Sequence, residues 1–132
     1  MMDFKTGKLS QVQIEAILNA LPGDMTFADA DGTIRYYNEP KAQLFSRREA
    51  ILGTSVQSCH PEKSVGLVSE LLQDLKTGRR DAAESWTRLE GRLIHIRYFA
   101  VRDRAGEYLG CLEFVQNVSD IVGRAPADKP LQ

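Results

Sequence analysis

Between Asp81 and Asp120 apolar and polar residues alternate with the two-residue period of a β-strand. They form three runs, DAAESWTRL, RLIHIRYFAVR and EYLGCLEFVQNVSD, interrupted at Glu90-Gly91 and at Asp103 to Gly106. The pattern predicts an antiparallel meander. A two-residue turn at Glu90-Gly91 sets Leu89 opposite Arg92, and counting back sets Thr87 opposite Ile94, Trp86 opposite His95, Ser85 opposite Ile96 and Glu84 opposite Arg97. If the second turn closes Asp103 on Glu107, Gln116 falls beside Ile94, Phe114 beside Ile96, Leu112 beside Tyr98 and Gly110 beside Ala100. The expected inner face then carries Ser85, Thr87, Ile94, Ile96, Tyr98, Leu112, Phe114 and Gln116, and no carboxylate. The expected outer face carries Trp86, His95 and Val115, then Glu84, Arg97 and Glu113, then Phe99 and Cys111. An acid-base-acid row across three strands is an arrangement that cross-strand pairing favours.

Upstream, Ser10 and Gln13 have capping-box spacing, and Ile14, Ile17, Leu18 and Leu21 recur at helical intervals before Pro22-Gly23. Residues 1–9 show no periodicity and are expected to be disordered. MTFADA and TIRYYN flank Asp31-Gly32 and predict a hairpin. The next stretch reads as helical: a segment from Glu39 to Phe45, then a capping box at Ser46 to Glu49 leading into Ala50. A longer helix follows Pro61 and ends at Gly78, with Val65, Val68, Leu71, Leu72 and Leu75 as its buried stripe. Residues 123–132 read as a disordered tail, leaving one domain over 10–122.

A chain of 132 residues, 42% hydrophobic, suits one ordinary core. The formal net charge of −1 gives no basic footprint, so nucleic acid is not an expected partner. No apolar run reaches the roughly 20 residues of a membrane span, and the N-terminus lacks a signal peptide's apolar centre. A cytoplasmic protein with no membrane partner is expected. Cys59 and Cys111 make no disulfide framework. Nucleophile elbow, glycine-rich phosphate loop and HExxH are all missing, so no enzyme is expected.

Two strands, short helices, one longer helix and three strands resemble a PAS domain, a resemblance sharpened by Tyr37-Asn38-Glu39, Leu52-Gly53 and Tyr108-Leu-Gly110. CHPEKSV, IHIRYFAVRD and GEYLG are similar to the PAS module that follows a hemerythrin-like domain in a bacterial and archaeal family; the diiron portion does not occur in these residues and nothing of its chemistry carries over. The family's closing Asp is Asn117 here. The resemblance implies an α+β fold: a five-stranded antiparallel sheet in the order 2-1-5-4-3, helices on its concave face and an N-terminal flanking helix.

It also implies a small-molecule pocket on the concave face. Ser85, Thr87, Tyr98 and Gln116 among Ile94, Ile96, Leu112 and Phe114 have the composition of a binding cleft, and equally of a core whose polar groups satisfy each other. Cys59-His60-Pro61 lies at the entry of the long helix, where free N–H groups favour anions, and is counted with the ligand-binding set. His60 is the candidate haem ligand, because haem-binding members of the family ligate through a histidine in this region; a redox-sensing or flavin-reactive Cys59 thiol, and a structural role for both residues, are the alternatives. The expected function is a sensory, ligand-binding module signalling in trans through a homodimer or a partner protein. The alternatives are a ligand-free interaction domain and a haem-based gas or redox sensor. Ile14, Ile17 and Leu21, with Trp86, Phe99 and Val115, are the expected dimer surface.

Overall fold

In the computed structural model, which describes residues 1–124, the chain opens with a small hairpin of β1 (Met2–Phe4) and β2 (Gly7–Leu9). Disorder was the expectation for residues 1–9. Strands of three residues are too short for their side-chain period to register, and backbone pairing makes the hairpin. Helix α1 (Gln11–Ala20) starts on the expected capping box: the Gln13 amide donates to Ser10 Oγ at 3.0 Å and the Ser10 amide to Gln13 Oε1 at 2.9 Å.

Strands β3 (Asp24–Asp29) and β4 (Ile34–Tyr37) turn at Asp31-Gly32, where the Asp29 carboxylate accepts from the amides of Asp31 and Thr33 and from Arg35 Nε. Helix α2 (Val65–Thr77) ends at Gly78 in the left-handed region, φ 82°. Its expected stripe faces inward, with Leu75 wholly buried. Strands β5 (Ala82–Leu89), β6 (Arg92–Arg102) and β7 (Tyr108–Asn117) complete a five-stranded antiparallel sheet in the order β4-β3-β7-β6-β5, the expected topology counted from β3. A short α3 (Ser119–Val122) follows. The disorder expected at 123–132 falls, from residue 125 on, outside the described residues.

Two expectations for the middle of the chain fail. The segment from Glu39 to Phe45 contains turns and bends rather than helix. The Ser46 capping box does not form either: Arg48 is the N-cap of a single 3-10 turn, Glu49–Ile51, with no side-chain cap. Tertiary bonds outcompete local propensity here, because the Leu44 and Phe45 amides donate to the Asp24 carboxylate and Arg47 is drawn into the interior. Two further 3-10 turns, Val56–Cys59 and Glu62–Ser64, lead into α2, so Cys59-His60 lies before the helix and not at its first turn.

The β5–β6 hairpin has the expected register throughout, from Leu89 opposite Arg92 to Glu84 opposite Arg97, turning through Glu90 (φ 52°) and Gly91 (φ 80°). The β6–β7 hairpin does not. Arg102 pairs with Tyr108, but Val101 pairs with Gly110, so Leu109 is one extra residue on β7. From there Ala100 meets Cys111, Tyr98 meets Glu113, Arg97 meets Phe114 and Ile96 meets Val115. Because side chains alternate, this single bulge exchanges the two faces of β7. Leu112, Phe114 and Gln116 belong to the outer face, while Cys111, Glu113 and Val115 belong to the inner one. The expected Glu84-Arg97-Glu113 row is therefore broken. Arg97 instead lies 5.6 Å over both the Phe99 and Phe114 rings and donates to Gln116 Oε1 at 2.6 Å.

Candidate functional site

A cavity of about 650 Å³ separates the inner face of the sheet from α2 and the 3-10 turns. Its sheet wall is Ala28, Ile34, Ile96, Tyr98, Cys111 and Val115; Phe45, Ile51, Val56, Val68, Leu71 and Leu72 close it from the helical side. Set into this apolar lining are Asp24, Thr26, Ser46, Arg47, Ser58, His60 and Glu113.

Of the residues expected to bind a ligand, Ile96, Tyr98 and His60 line the cavity. Ile94 is completely buried on the same face without reaching it, and Ser85 and Thr87 are exposed on edge strand β5. Leu112, Phe114 and Gln116 are on the opposite face because of the bulge at Leu109. The same bulge moves Val115, expected at a dimer surface, into the cavity wall at 2% exposure. The Cys59 side chain lies outside the described part of the structure. Trp86 and Phe99 are on the outer face as expected; Trp86 stacks on His95 with ring centroids 4.0 Å apart, and His95 Nε2 is 2.6 Å from Glu84 Oε2.

The charged groups of the cavity are those the sequence reading missed. Asp24, at 2% exposure, accepts from the Phe45 amide at 2.9 Å and the Leu44 amide at 3.2 Å, with Arg47 Nη2 at 3.8 Å. Arg47 donates from Nη1 to the Met25 carbonyl and Thr26 Oγ1, and from Nη2 to the carbonyl and side-chain oxygens of Asn38. Its Nε is buried without a partner. Burial pulls the Arg47 pKa down against the opposing pull of Asp24 and Glu113, and the guanidinium stays charged.

Asn38, fully buried, uses its whole amide: Oδ1 accepts from the Met25 amide at 2.7 Å and from Arg47, while Nδ2 donates to the Leu18 and Gly23 carbonyls. Leu18 belongs to α1, so one side chain connects the cavity's guanidinium to the flanking helix. A second bond, from the Glu39 amide to Asn19 Oδ1, lies alongside it.

Glu113 faces Tyr98 across the β6–β7 pair. Burial, then the Glu113 charge and a hydrogen bond to that carboxylate, push the Tyr98 phenol well above its ordinary range, so it stays protonated and donates. Burial and Glu113 likewise push the Cys111 thiol up to about 12, which makes it an inert thiol. His60 Nδ1 is 2.9 Å from the Val56 carbonyl, which can only accept. The Nδ1 proton is thereby fixed, and Nε2 has no partner among the described residues. The signal that places these groups was present in Leu109-Gly110, because a glycine inside a strand pattern marks a bulge or a close backbone approach.

A family model described as PAS domain matches residues 14–119. Among solved structures, the C-terminal domain of a Streptococcus mutans protein is 35% identical with a TM-score of 0.86, over 92% of this chain and 95% of that one. A PAS domain from Colwellia psychrerythraea superposes with a TM-score of 0.61 at 14% identity, over 83% of this chain and 97% of that one. A sensory box sensor histidine kinase from Vibrio cholerae gives 0.58 at 13% identity, over 83% and 91%. Comparison with curated proteins gave no match.

Proposed function

Because the chain belongs to the PAS domain family, we propose that it is a sensory module that holds a small molecule in its inner cavity and reports occupancy through α1 to a second copy of itself or to a signalling partner. The observation carrying this reading is the cavity itself: about 650 Å³, apolar over most of its wall, with a few polar groups set into it. The Arg47–Asn38–Leu18 connection supplies a route outward, since a shift of Arg47 disturbs the bonds that seat the end of α1. Ile17 and Leu21 of the flanking region and Trp86 of the outer face remain 48%, 37% and 52% exposed; with Ile14 and Phe99 they form the apolar surface proposed for self-association. The resemblance to modules that follow a hemerythrin-like domain stands as a proposal, and it accords with the Streptococcus mutans relative being a C-terminal domain. Among the described residues no helix is long and apolar enough to cross a membrane. A cytoplasmic setting accords with the free, buried Cys111 thiol.

The reading is tested on purified protein by native and denaturing mass spectrometry. A small molecule released on denaturation, and lost in a Val68→Trp variant that fills the cavity, is the expected result. Protein with nothing bound, and stabilised by Val68→Trp, would leave an interaction domain that needs no ligand.

Haem has one feature in its favour, the partnerless Nε2 of His60. The remaining lining does not fit the group: among the described residues its one cation, Arg47, is occupied by protein acceptors, and its spare charge is the carboxylate of Glu113, which repels propionates. Reconstitution with hemin is expected to give no Soret shift that depends on His60.

A further inference from the structure

We infer that the molecule held in this cavity is a compact, mainly apolar cation, one carrying a protonated amine or amidine, and that Glu113 receives it. The inference rests on the cavity's being a ligand site and specifies its chemistry.

The argument counts donors and acceptors. A bound molecule must satisfy whatever polar atoms the cavity leaves open, because an unpaired polar group in an apolar enclosure is costly. Arg47 has five N–H groups, and the two on Nη1 and the two on Nη2 have acceptors in Met25, Thr26 and Asn38. The fifth, on Nε, is sealed from any accessible surface, so an incoming oxygen cannot reach it. Ser58 Oγ donates to the Ser55 carbonyl at 2.7 Å. Asp24 is covered by two amides and by Arg47. The charged donor is thus already engaged, and what remains open to an anionic ligand is two neutral hydroxyls, those of Ser46 and Thr26.

Acceptors are in surplus. Glu113 lines the cavity facing the Tyr98 phenol, and a carboxylate has about four lone-pair sites, more than one phenol can fill. His60 Nε2 has no partner among the described residues and in the neutral ring is a further acceptor, since Nδ1 then holds its proton toward the Val56 carbonyl. Asp24 and Arg47 cancel, which leaves the lining with one net negative charge inside apolar walls, where the low dielectric strengthens its attraction for a cation. The elevated pKa values of Tyr98 and Cys111 agree, each raised in part by that charge.

Three probes with one indole body test the assignment at pH 7: tryptamine, indole-3-ethanol and indole-3-propanoate. Their affinities are measured by calorimetry or ligand-observed NMR. Tryptamine is expected to bind about tenfold or more tighter than the alcohol, as a charge-assisted hydrogen bond requires, with the carboxylate weakest. Glu113→Gln, which conserves shape, should remove the gap between amine and alcohol. The ranking of the three probes on the wild type is independent of whether the variant folds. A carboxylate that binds tightest, or an amine preference that survives in folded Glu113→Gln, overturns the inference. Alcohol binding that Val68→Trp abolishes, with no preference for the amine, refutes the cation while keeping the cavity. Binding of none of the three refutes both.

Discussion

The two hairpins of the meander share their central strand and differ by one residue. In β5–β6 a two-residue turn fixes the register and side-chain alternation carries it along eight pairs without interruption. In β6–β7 the turn also forms as expected, the Asp103 amide donating to the Glu107 carbonyl, but Leu109 intervenes two residues later. The difference lies in what each strand meets on its other side. β5 is an edge strand, whereas β7 is clasped between β6 and β3 and must serve two ladders at once. A side chain at Gly110 would overlap the Ala28 carbonyl of β3 and lie 2.7 Å from the Phe27 ring. Turn chemistry and periodicity are local, while the bulge answers to a third strand that no count along one hairpin contains.

The sharpest way to break this contrast is to add a side chain at the glycine of each hairpin. Gly110→Val should cost about 3 kcal/mol or more, or prevent folding, because the added atoms meet rigid backbone. Gly91→Ala, whose Cβ would meet open space, should cost about 1 kcal/mol from its positive φ alone. Urea unfolding of both variants measures the difference; equal losses would remove the third-strand account.

Alkaline unfolding gives an intermediate effect. The bulge turns Cys111 inward, so the folded thiol ionises near 12 against 9.0 for the ordinary group. A raised folded-state value means the contribution is fully present below about pH 9 and is lost as pH climbs toward about 12, at no more than about 1.4 kcal/mol per unit. Stability of the wild type should therefore fall over that window more steeply than that of Cys111→Ala, even though the variant starts lower. In the register counted from the turn, Cys111 would face outward and the two slopes would coincide.

The smallest effect separates the two registers by charge. Arg97→Glu places two carboxylates side by side with Glu84, and adding Glu84→Arg should recover about 0.5 kcal/mol. Adding Glu113→Arg should recover nothing, since Glu113 lies through the sheet from Arg97. Rescue by Glu113→Arg as well as by Glu84→Arg would restore the uninterrupted register.

What the sequence made legible follows the same line. The α1 capping box, the α2 stripe and its Gly78 stop, and the whole β5–β6 register were readable because each depends on neighbours within a turn or a hairpin, while the strand order came with the family resemblance. Tyr98 and His60 were placed in the cavity, but its charged groups were not. Glu113 was assigned to the wrong face by a one-residue miscount, and Asp24 and Arg47 gave no periodic signal, because the bonds holding them run to residues some twenty positions away. The stretch around Arg47 was misread as helix for the same reason: local propensity was judged where distant partners decide.

Leu109 makes the character of the cavity depend on length as well as on composition. Deleting it would bring Leu112, Phe114 and Gln116 inward and send Cys111, Glu113 and Val115 out, turning an acidic interior into an uncharged one on that strand without altering any other letter. Modules of this architecture thus have a route to new chemical preferences through single-codon insertion and loss, and an alignment that closes such a gap silently would pair pocket residues with surface ones.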